Sequence, residues 1–361
     1  MASLTIDIKA VRENIRKIDA LLRPHGIEWT LVTKLLGGEE RVLRSIIESD
    51  EIDLVRSIGD SRIQNLRKIR EIDPSIRTMY LKPAPVARAQ SIVECADISL
   101  NSSHATIAAL DREAGRIGKK HEVVVMIEMG ELREGVVRGG VLDFYESIFG
   151  MENIDVIGIG TNLGCMYGVE PTFDKLIQLS LYKELIEAKF DHHLDLVSGG
   201  SSITLPLLEM GRVPAGVNHF RIGESVFFGN SLKDGSQLVD LSMTVFDFSA
   251  EIVEIESKEV IPDGAIGDAA IGITPALVVD PGPERRQRAI VDFGQIDVNP
   301  DRLRPKDPSV VFAGSTSDMT VYDLGEGTTG LGVGDQLHFL PDYSAVARLM
   351  HSPYIDKQIL Y

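Results

Sequence analysis

The chain has little cysteine and few basic residues, and each shortage excludes a class of protein. Its 361 residues include only two cysteines, Cys95 and Cys165, far apart, so neither a disulfide framework nor a metal site is indicated. Lys and Arg number 37 against 54 Asp and Glu, a formal net charge of −17, whereas nucleic acids and anionic membranes attract clustered Lys and Arg. We therefore expect neither nucleic acid nor a membrane as a partner.

Long apolar runs are also missing. No stretch reaches the roughly 18 apolar residues that a membrane span requires, and residues 1–7 lack the basic and apolar regions of a secretory signal. We therefore expect a cytoplasmic protein. A single core stops growing at roughly 250 to 300 residues, so the length favours two domains.

Short apolar runs alternate with helical segments over the first two thirds of the chain. The runs are continuous rather than alternating, which is typical of parallel strands covered on both faces. Eight strand–helix units predict a closed (β/α)8 TIM barrel. The predicted strands are 29–33, 52–57, 78–81, 98–101, 122–127, 156–161, 194–198 and 218–223, and the predicted helices include 60–72, 103–117 and 172–188.

After residue 229 the pattern changes to strands separated by Gly- and Pro-rich turns. Asn, Asp and Gly cluster at 230–235, which marks the boundary. The sequence thus predicts an α/β fold with a barrel domain at 1–232 and a C-terminal β-rich domain at 233–361. The strands predicted in the second domain are 239–255, 276–279, 289–291 and 310–312.

Polar residues that end the barrel strands are the candidates for chemistry, because barrel enzymes carry their working residues there. Lys34 follows the first run, and an amine at this place is either a surface charge or a group that forms a Schiff base with a ligand carbonyl. Arg133 follows the fifth run, where a salt bridge to Glu131 or Glu134 is the alternative role. Asn162 follows the sixth run, beside glycines that would let a flat ring lie against the backbone, although a simple turn explains those glycines equally well.

The last two runs end in small and hydroxyl residues, Ser198-Gly199-Gly200-Ser201-Ser202 and Arg221-Ile222-Gly223-Glu224-Ser225. Hydroxyls and backbone N–H groups after the late strands form the common phosphate site of this fold. An arginine beside such a site can face a ring nitrogen of the ligand. An amine, a phosphate site and two arginines around one barrel mouth are what pyridoxal 5′-phosphate (PLP) requires.

The ordered set of short motifs resembles the alanine racemase family of fold-type III PLP enzymes, and within it the ornithine-racemase-like group. The resemblance covers nearly the whole chain. Its motifs are Val32-Thr33-Lys34, Gly59-Asp60-Ser61-Arg62 with Asn65-Leu66, Gly130-Glu131-Leu132-Arg133-Glu134-Gly135, Gly164-Cys165, Ser198-Gly199-Gly200-Ser201-Ser202, Gly267-Asp268, Arg288-Ala289-Ile290 and Gly314-Ser315-Thr316-Ser317-Asp318.

The resemblance implies a PLP-dependent amino-acid racemase, an isomerase, with Lys34 as the Schiff-base lysine. It implies that Arg221 contacts the pyridine nitrogen and keeps it unprotonated, and that Arg133 lies near the phenolic oxygen. Asn162 stands where relatives have a histidine against the ring. The residues implied for the phosphate are Ser201, Ser202, Gly223 and Glu224.

The resemblance also implies partners and a substrate. The Ser317-Asp318 turn matches a loop that reaches the partner's site in alanine racemases, which implies a head-to-tail homodimer. A small-molecule amino acid is the expected substrate, with ornithine or another basic amino acid ahead of alanine or serine.

The chain departs from the family pattern around the second catalytic base. The tyrosine that alanine racemases use is absent from 260–264, Met126 replaces the lysine that braces the first arginine, and Met319 stands where the ornithine-like group usually has a histidine. Racemisation needs one base to remove the α-proton and an acid on the opposite face to return it. We assign Lys34 to one face and Asp318 to the other. The alternatives for the second face are Asp263, Asp268 and Tyr343.

Two other functions stay open. One is another fold-type III reaction, a decarboxylase or lyase step, of which a metal-assisted version would use a His/Cys pair late in the second domain. Only His338 and His351 lie there, without a cysteine, so we expect no metal. The other is a non-catalytic PLP-binding protein, which the presence of a second domain disfavours.

Overall fold

The computed structural model of the chain describes residues 2–267, 271–275, 285–325 and 330–361. They form two compact units, one of residues 10–243 and one of residues 1–9 with 244–361. The boundary drawn from the sequence, at 232–233, precedes this division, since residues 233–243 belong to the barrel unit. The first strand of the chain belongs to the other unit, because it pairs with strands of that unit. None of the helices in the described part of the chain is long and apolar enough to cross a membrane.

Residues 10–243 contain a closed barrel of eight parallel strands, which confirms the predicted (β/α)8 fold. Parallel pairing runs from each strand to the next and closes between the first and last, where Thr30 lies opposite Arg221. The barrel strands are β2 (Glu28–Val32), β3 (Ser57–Asp60), β4 (Thr78–Tyr80), β5 (Ile98–Asn101), β6 (His121–Ile127), β7 (Ile154–Thr161), β8 (Leu196–Ser201) and β9 (His219–Ile222).

Helix α1 precedes the barrel strands, α9 follows them, and the other helices lie between them. In α5, the buried residues Thr106, Ile107, Leu110 and Ala114 recur at helical spacing, as an amphipathic helix on a barrel requires. Thr172 caps α7 by accepting a hydrogen bond from the Lys175 backbone N–H at 3.3 Å. The helices are α1 (Ile8–Leu22), α2 (Glu40–Ile47), α3 (Ile63–Ile72), α4 (Ala89–Cys95), α5 (His104–Arg116), α6 (Val141–Ile148), α7 (Phe173–Phe190), α8 (Leu205–Glu209) and α9 (Glu224–Phe228).

The second barrel strand was predicted at 52–57, and this prediction was wrong. Residues Asp50–Leu54 form a short 3₁₀ helix, and the strand is Ser57–Asp60, all of it buried. Gly59 is required there, because a Cβ would lie 2.8 Å from Thr30 Cγ2. A strand with one strongly apolar residue gives no hydrophobic signal, so the apolar residues before it misled the prediction. The correction moves Asp60 to the end of a barrel strand.

Apolar side chains from β4 to β8 form one buried cluster of the barrel. A buried cluster combines residues of β4, β5, β6, β7 and β8, and fully burying each such side chain contributes roughly 1.5–3 kcal/mol. Gly160 makes room for one of them, since a Cβ there would lie 3.0 Å from Met126 Sδ. The cluster consists of Met79, Ile98, Leu100, Val124, Met126, Ile157 and Leu196.

The second unit is the predicted β-rich domain. Its described strands are antiparallel except for the pair β1–β16, and the sheet order is β12-β15-β10-β11-β14-β13, with β1 paired to β10 and β16. Four aromatic rings, of Phe248, Phe293, Tyr322 and Phe339, pack together with centroids 5.1 to 6.5 Å apart. The elements are β1 (Ser3–Asp7), β10 (Phe246–Glu259), β11 (Arg285–Val291), β12 (Leu303–Pro305), β13 (Val311–Ser315), β14 (Thr320–Asp323), β15 (Gln336–Pro341), α10 (Tyr343–His351) and β16 (Asp356–Leu360).

The strands predicted in this unit fit the structure unevenly. The run 289–291 extends back to residue 285, and 310–312 corresponds to β13. The run 239–255 begins too early, because Val239 and Asp240 have φ of 46° and 52°, which interrupts an extended chain. The predicted strand 276–279 lies outside the described residues.

Candidate active site

Lys34 begins a short 3₁₀ turn, Lys34–Leu36, directly after β2. Leu35 and Leu36 are buried and anchor the turn, and Gly37 closes it with φ of 61°. The Lys34 side chain is exposed, and its amino group has no hydrogen bond or ion pair with any of the described residues. The turn therefore fixes the backbone of this lysine and leaves its amine free at the barrel mouth.

A buried carboxylate braces the residue before this lysine. Asp60 is 1% exposed and accepts hydrogen bonds from the Arg62 backbone N–H at 2.8 Å, Asn65 Nδ2 at 3.1 Å and Thr33 Oγ1 at 3.4 Å. Burial raises the pKa of Asp60, and these donors offset only part of the rise. Sequence reasoning found this segment only as part of a motif. The structure shows that Asp60 contacts Thr33, the residue before Lys34.

The backbone after Lys34 is held from the same side. Lys68 Nζ donates to the carbonyl of Gly38 at 2.7 Å, and a Cβ at Gly38 would come within 2.4 Å of Asn65 Oδ1. Gly38 also has φ of 76°, so this position requires glycine on two grounds.

Arg221 lies on β9 with only 7% of its surface exposed. Nη1 donates to the carbonyl of Ser198 at 3.1 Å and to its hydroxyl, and Nη2 donates to the carbonyl of Thr161 at 2.7 Å and to Asn162 Oδ1 at 3.3 Å. Nε makes no bond to the described residues. Burial lowers the pKa of Arg221 to about 10, which leaves the group charged at neutral pH.

A carboxylate joins the two arginines of the mouth. Glu134 accepts hydrogen bonds from Arg133, through Nε and through Nη2 at 2.5 Å, and from Asn162 Nδ2 at 2.6 Å. Because Asn162 Oδ1 accepts from Arg221, the four side chains form one chain of contacts. Burial alone would raise the pKa of Glu134, but the donors from Arg133 and Asn162 outweigh it and lower the pKa.

Glu131 and Glu134 were equivalent ion-pair candidates from the sequence, and the structure separates them. Glu131 is 2% exposed and accepts the backbone N–H groups of Cys165 at 3.1 Å, Tyr167 at 3.0 Å and Val169 at 2.7 Å. It therefore shapes the loop after β7, which brings Cys165 Sγ within 2.6 Å of Arg133 Nη1. No sequence signal distinguishes the two glutamates.

The hydroxyls after β8 are oriented by backbone donors. Ser201 Oγ accepts the N–H of Thr204 in a capping box, and Ser202 Oγ accepts the N–H of Ser225 at 3.2 Å. Each hydroxyl hydrogen is left to donate elsewhere, which suits an acceptor such as phosphate. Gly223, just before α9, packs on β2, since a Cβ there would lie 2.8 Å from the Val32 carbonyl oxygen.

Comparisons with known proteins identify the family of the chain. A sequence model of the family described as "Alanine racemase, N-terminal domain" matches residues 6–231. The chain belongs to the alanine racemase family. It is 33% identical over 358 residues to ornithine racemase of Acetoanaerobium sticklandii, and the match covers 99% of both chains. It is 30% identical over 357 residues to lysine racemase of Thermotoga maritima, with 98% of this chain and 97% of the relative covered.

Solved structures show the same fold. The alanine racemase of Streptomyces lavendulae is 15% identical with a TM-score of 0.78, covering 100% of this chain and 97% of that one. The alanine racemase of Clostridium difficile 630 is 16% identical with a TM-score of 0.76, covering 99% and 95%. At this identity the likeness concerns the fold alone.

The residues present fit the PLP that membership of the alanine racemase family implies. A free amine, a buried arginine with an uncommitted Nε–H, and two hydroxyls with hydrogens to donate match the aldehyde, the pyridine nitrogen and the phosphate of that cofactor. Arg221 has no ion pair with the described residues, so its positive charge is available to an anionic ligand.

The candidates for the second base lie in the second unit. Asp318 is exposed in the turn between β13 and β14 and accepts a hydrogen bond from Ser317 Oγ at 2.6 Å. Asp263 lies in the exposed segment after β10, and Tyr343 begins α10. Asp268 lies outside the described residues.

Proposed function

We propose that this protein is a PLP-dependent racemase that interconverts the L- and D-forms of a basic amino acid, with ornithine as the first choice. The observation that carries the proposal is the free amine of Lys34 at the mouth of a barrel that also holds Arg133 and Arg221. The substrate class is supported by two full-length relatives, which are named ornithine racemase and lysine racemase.

When bound, PLP would supply the electron-withdrawing ring that acidifies the α-hydrogen of the amino acid. In this chain Lys34 would hold the cofactor covalently, and Ser201, Ser202 and the backbone at Gly223 and Glu224 would hold its phosphate. Arg221 would donate its Nε–H to the pyridine nitrogen. Because an arginine keeps its own proton at neutral pH, that nitrogen would stay unprotonated, which limits side reactions.

Arg133 would lie at the phenolic oxygen, held by the Glu134 carboxylate, which also accepts from Asn162. The ion pair fixes the guanidinium plane and cancels part of the charge around the site. The Glu134–Asn162 link therefore couples the positions of the two arginines, and each would be set before a ligand arrives.

Two groups of this chain would move the α-proton. The neutral Lys34 amine would accept it on one face, and a protonated Asp318 would return one on the other face. We propose that Asp318 does so in the site of the partner subunit of a head-to-tail homodimer. A carboxyl group can return a proton only from its neutral, protonated form, so the role requires Asp318 to be protonated at that step.

Absorbance spectroscopy with borohydride reduction tests the cofactor. The purified protein should show an absorbance band near the edge of the visible range that borohydride removes. The peptide to which borohydride fixes PLP should contain Lys34. Lys34→Ala should lose the band, whereas Lys189→Ala, at the far end of α7 from Phe173, should keep it. A wild-type protein that takes up no added PLP would contradict the proposal.

A panel of L-ornithine, L-lysine, L-alanine and L-serine, followed by chiral chromatography, tests the reaction. Appearance of the D-form of a basic amino acid is the expected result. Release of carbon dioxide or an aldehyde would instead identify a decarboxylase or lyase. A protein to which borohydride links PLP, but which converts none of the four amino acids, would be a non-catalytic PLP-binding protein.

Mixed dimers test the role of Asp318. Lys34→Ala and Asp318→Asn proteins should each be inactive, and refolding them together should restore about one quarter of wild-type activity, because half of the dimers then contain one intact site of two. No recovery on mixing, with both variants shown to be dimers by sedimentation, would exclude a site shared in this way. Near-normal activity of Asp318→Asn alone would exclude the residue as a base.

A further inference from the structure

A chain of buried polar side chains continues from Arg221 into the barrel. Ser198 Oγ, which accepts from Arg221 Nη1, lies 2.8 Å from His219 Nδ1. His219 Nε2 lies 3.0 Å from Thr30 Oγ1, which lies 2.7 Å from Ser57 Oγ. The four residues below Arg221 are at most 2% exposed. Because they come from β2, β3, β8 and β9, these hydrogen bonds connect the first two and the last two strands of the barrel.

The direction of these hydrogen bonds follows from the charges. Arg221 can only donate, so Ser198 Oγ accepts from it. Burial and then the charge of Arg221 lower the pKa of His219 well below its ordinary value, so the imidazole is neutral and one of its nitrogens is an acceptor. The nearby positive charge favours hydrogens that point away from it. Ser198 therefore donates to Nδ1, and Nε2–H of His219 donates to Thr30.

We propose that His219 is a positioning residue for Arg221, acting through Ser198. As the acceptor for the Ser198 hydroxyl hydrogen, it turns the oxygen lone pairs of Ser198 toward the guanidinium. This stabilises a buried cation that has no carboxylate in direct contact among the described residues, and it holds the guanidinium plane so that Nε–H keeps its direction. The role toward PLP rests on the proposed function, whereas the hydrogen-bond chain itself does not.

The hydrogen bonds described above require an acceptor at the Nδ1 position of His219. Asparagine places its amide oxygen near that position, and glutamine places its amide nitrogen near Nε2. His219→Asn therefore keeps the bond from Ser198, while His219→Gln keeps only the bond to Thr30. Both bury an amide, so a residue that merely fills space would be affected equally by the two changes.

The first measurement is nitrogen NMR of the full-length protein labelled with ¹⁵N-histidine, with His219→Gln used for assignment. We expect an unprotonated Nδ1, a protonated Nε2, and no titration of His219 from mildly acidic to mildly basic pH, about one unit either side of the ordinary histidine pKa. A protonated Nδ1, or titration near the ordinary histidine pKa, would overturn the proposal. This measurement needs no PLP, so it is decided even if the protein binds none.

The second measurement is the affinity for PLP together with the absorbance band of the bound form. We expect His219→Gln and Ser198→Ala to bind PLP roughly tenfold more weakly, with a shifted band, because a buried hydrogen-bonding group loses its partner. His219→Asn should stay close to wild type in both readings. If wild type binds PLP and the Asn and Gln variants behave alike, the positioning role is excluded while the racemase proposal stands.

Discussion

Acid should destabilise the barrel through a buried histidine that stays neutral in the folded protein. His121, at the start of β6, is 0% exposed and its Nε2 lies 2.7 Å from Ser99 Oγ. Burial, and then the charge of Lys119, lower the pKa of His121 to about 3. The unfolded chain takes up a proton near the ordinary histidine pKa, and the folded chain does not until the pH is far lower.

The sign and size of the effect follow from this difference. A base whose pKa is lowered by folding contributes its full stability above the unfolded pKa, and that stability is lost as the pH falls toward the folded pKa. Below about pH 6.5 the loss approaches about 1.4 kcal/mol per pH unit, so moving from about pH 7 to about pH 5 removes about 2 kcal/mol. The pKa of His219 is lowered as well, which adds to the same trend.

Trp29 provides the assay. It is the only tryptophan of the chain, lies on β2 and is 0% exposed, so its fluorescence follows unfolding of the barrel unit. Urea titrations at the two pH values would compare wild type with His121→Gln, whose amide can replace the Nε2 contact to Ser99 and does not titrate.

We expect wild type to lose about 2 kcal/mol more than His121→Gln between the two pH values. The matched control is His25→Gln, since the His25 side chain is exposed and makes no hydrogen bond or ion pair with the described residues, so this variant should follow wild type. Carboxylates titrate alike in all three proteins, so their contributions cancel. Equal losses in wild type and His121→Gln would refute the argument.

Three further predictions concern the candidate site. A thiol reagent should modify exposed Cys165 in the native protein and Cys95 only on unfolding, because burial raises the pKa of Cys95 to about 11; equal rates of modification would contradict this. Glu131→Gln should destabilise the loop after β7 by about 1–3 kcal/mol, since the carboxylate accepts three backbone N–H groups, and limited proteolysis should cut that loop faster than in wild type; unchanged cleavage would argue against the bracing role. Asp60→Asn should slow the covalent attachment of PLP at Lys34 severalfold while leaving the fold intact by circular dichroism, because it weakens the contact to Thr33; an unchanged rate would place Asp60 outside the site.

The barrel could be predicted from the sequence because its strands are covered on both faces. Runs such as Ile98–Asn101 and His121–Ile127 therefore appear as apolar segments between amphipathic helices. The signal failed at Ser57–Asp60, where glycine and polar residues form a buried strand. It failed again in the second unit, where strands such as Asp356–Leu360 alternate between exposed and half-buried residues and carry little apolar pattern.

The candidate site could be predicted only where a residue ends a strand. Lys34, Asn162 and Arg221 were selected as candidates by that rule, because barrel topology alone brings strand ends together. The roles of Glu134 and His219 could not be found in this way. Their contacts join strands and loops that are far apart in sequence, and the chain contains many glutamates and several histidines that have no part in the site.

Strand β1 has a consequence for how the chain folds during synthesis. It pairs antiparallel with β10 and parallel with β16. Almost the whole length of the sequence lies between β1 and β16. The barrel unit is continuous from 10 to 243 and can close as soon as its last strand emerges. The sheet of the second unit is complete only after β16 has been synthesised. Strand β1 is synthesised first, so it lacks its neighbour β16 while the barrel is already formed. Loss of residues 356–360 would therefore affect the opposite end of the chain, by exposing an edge of β1.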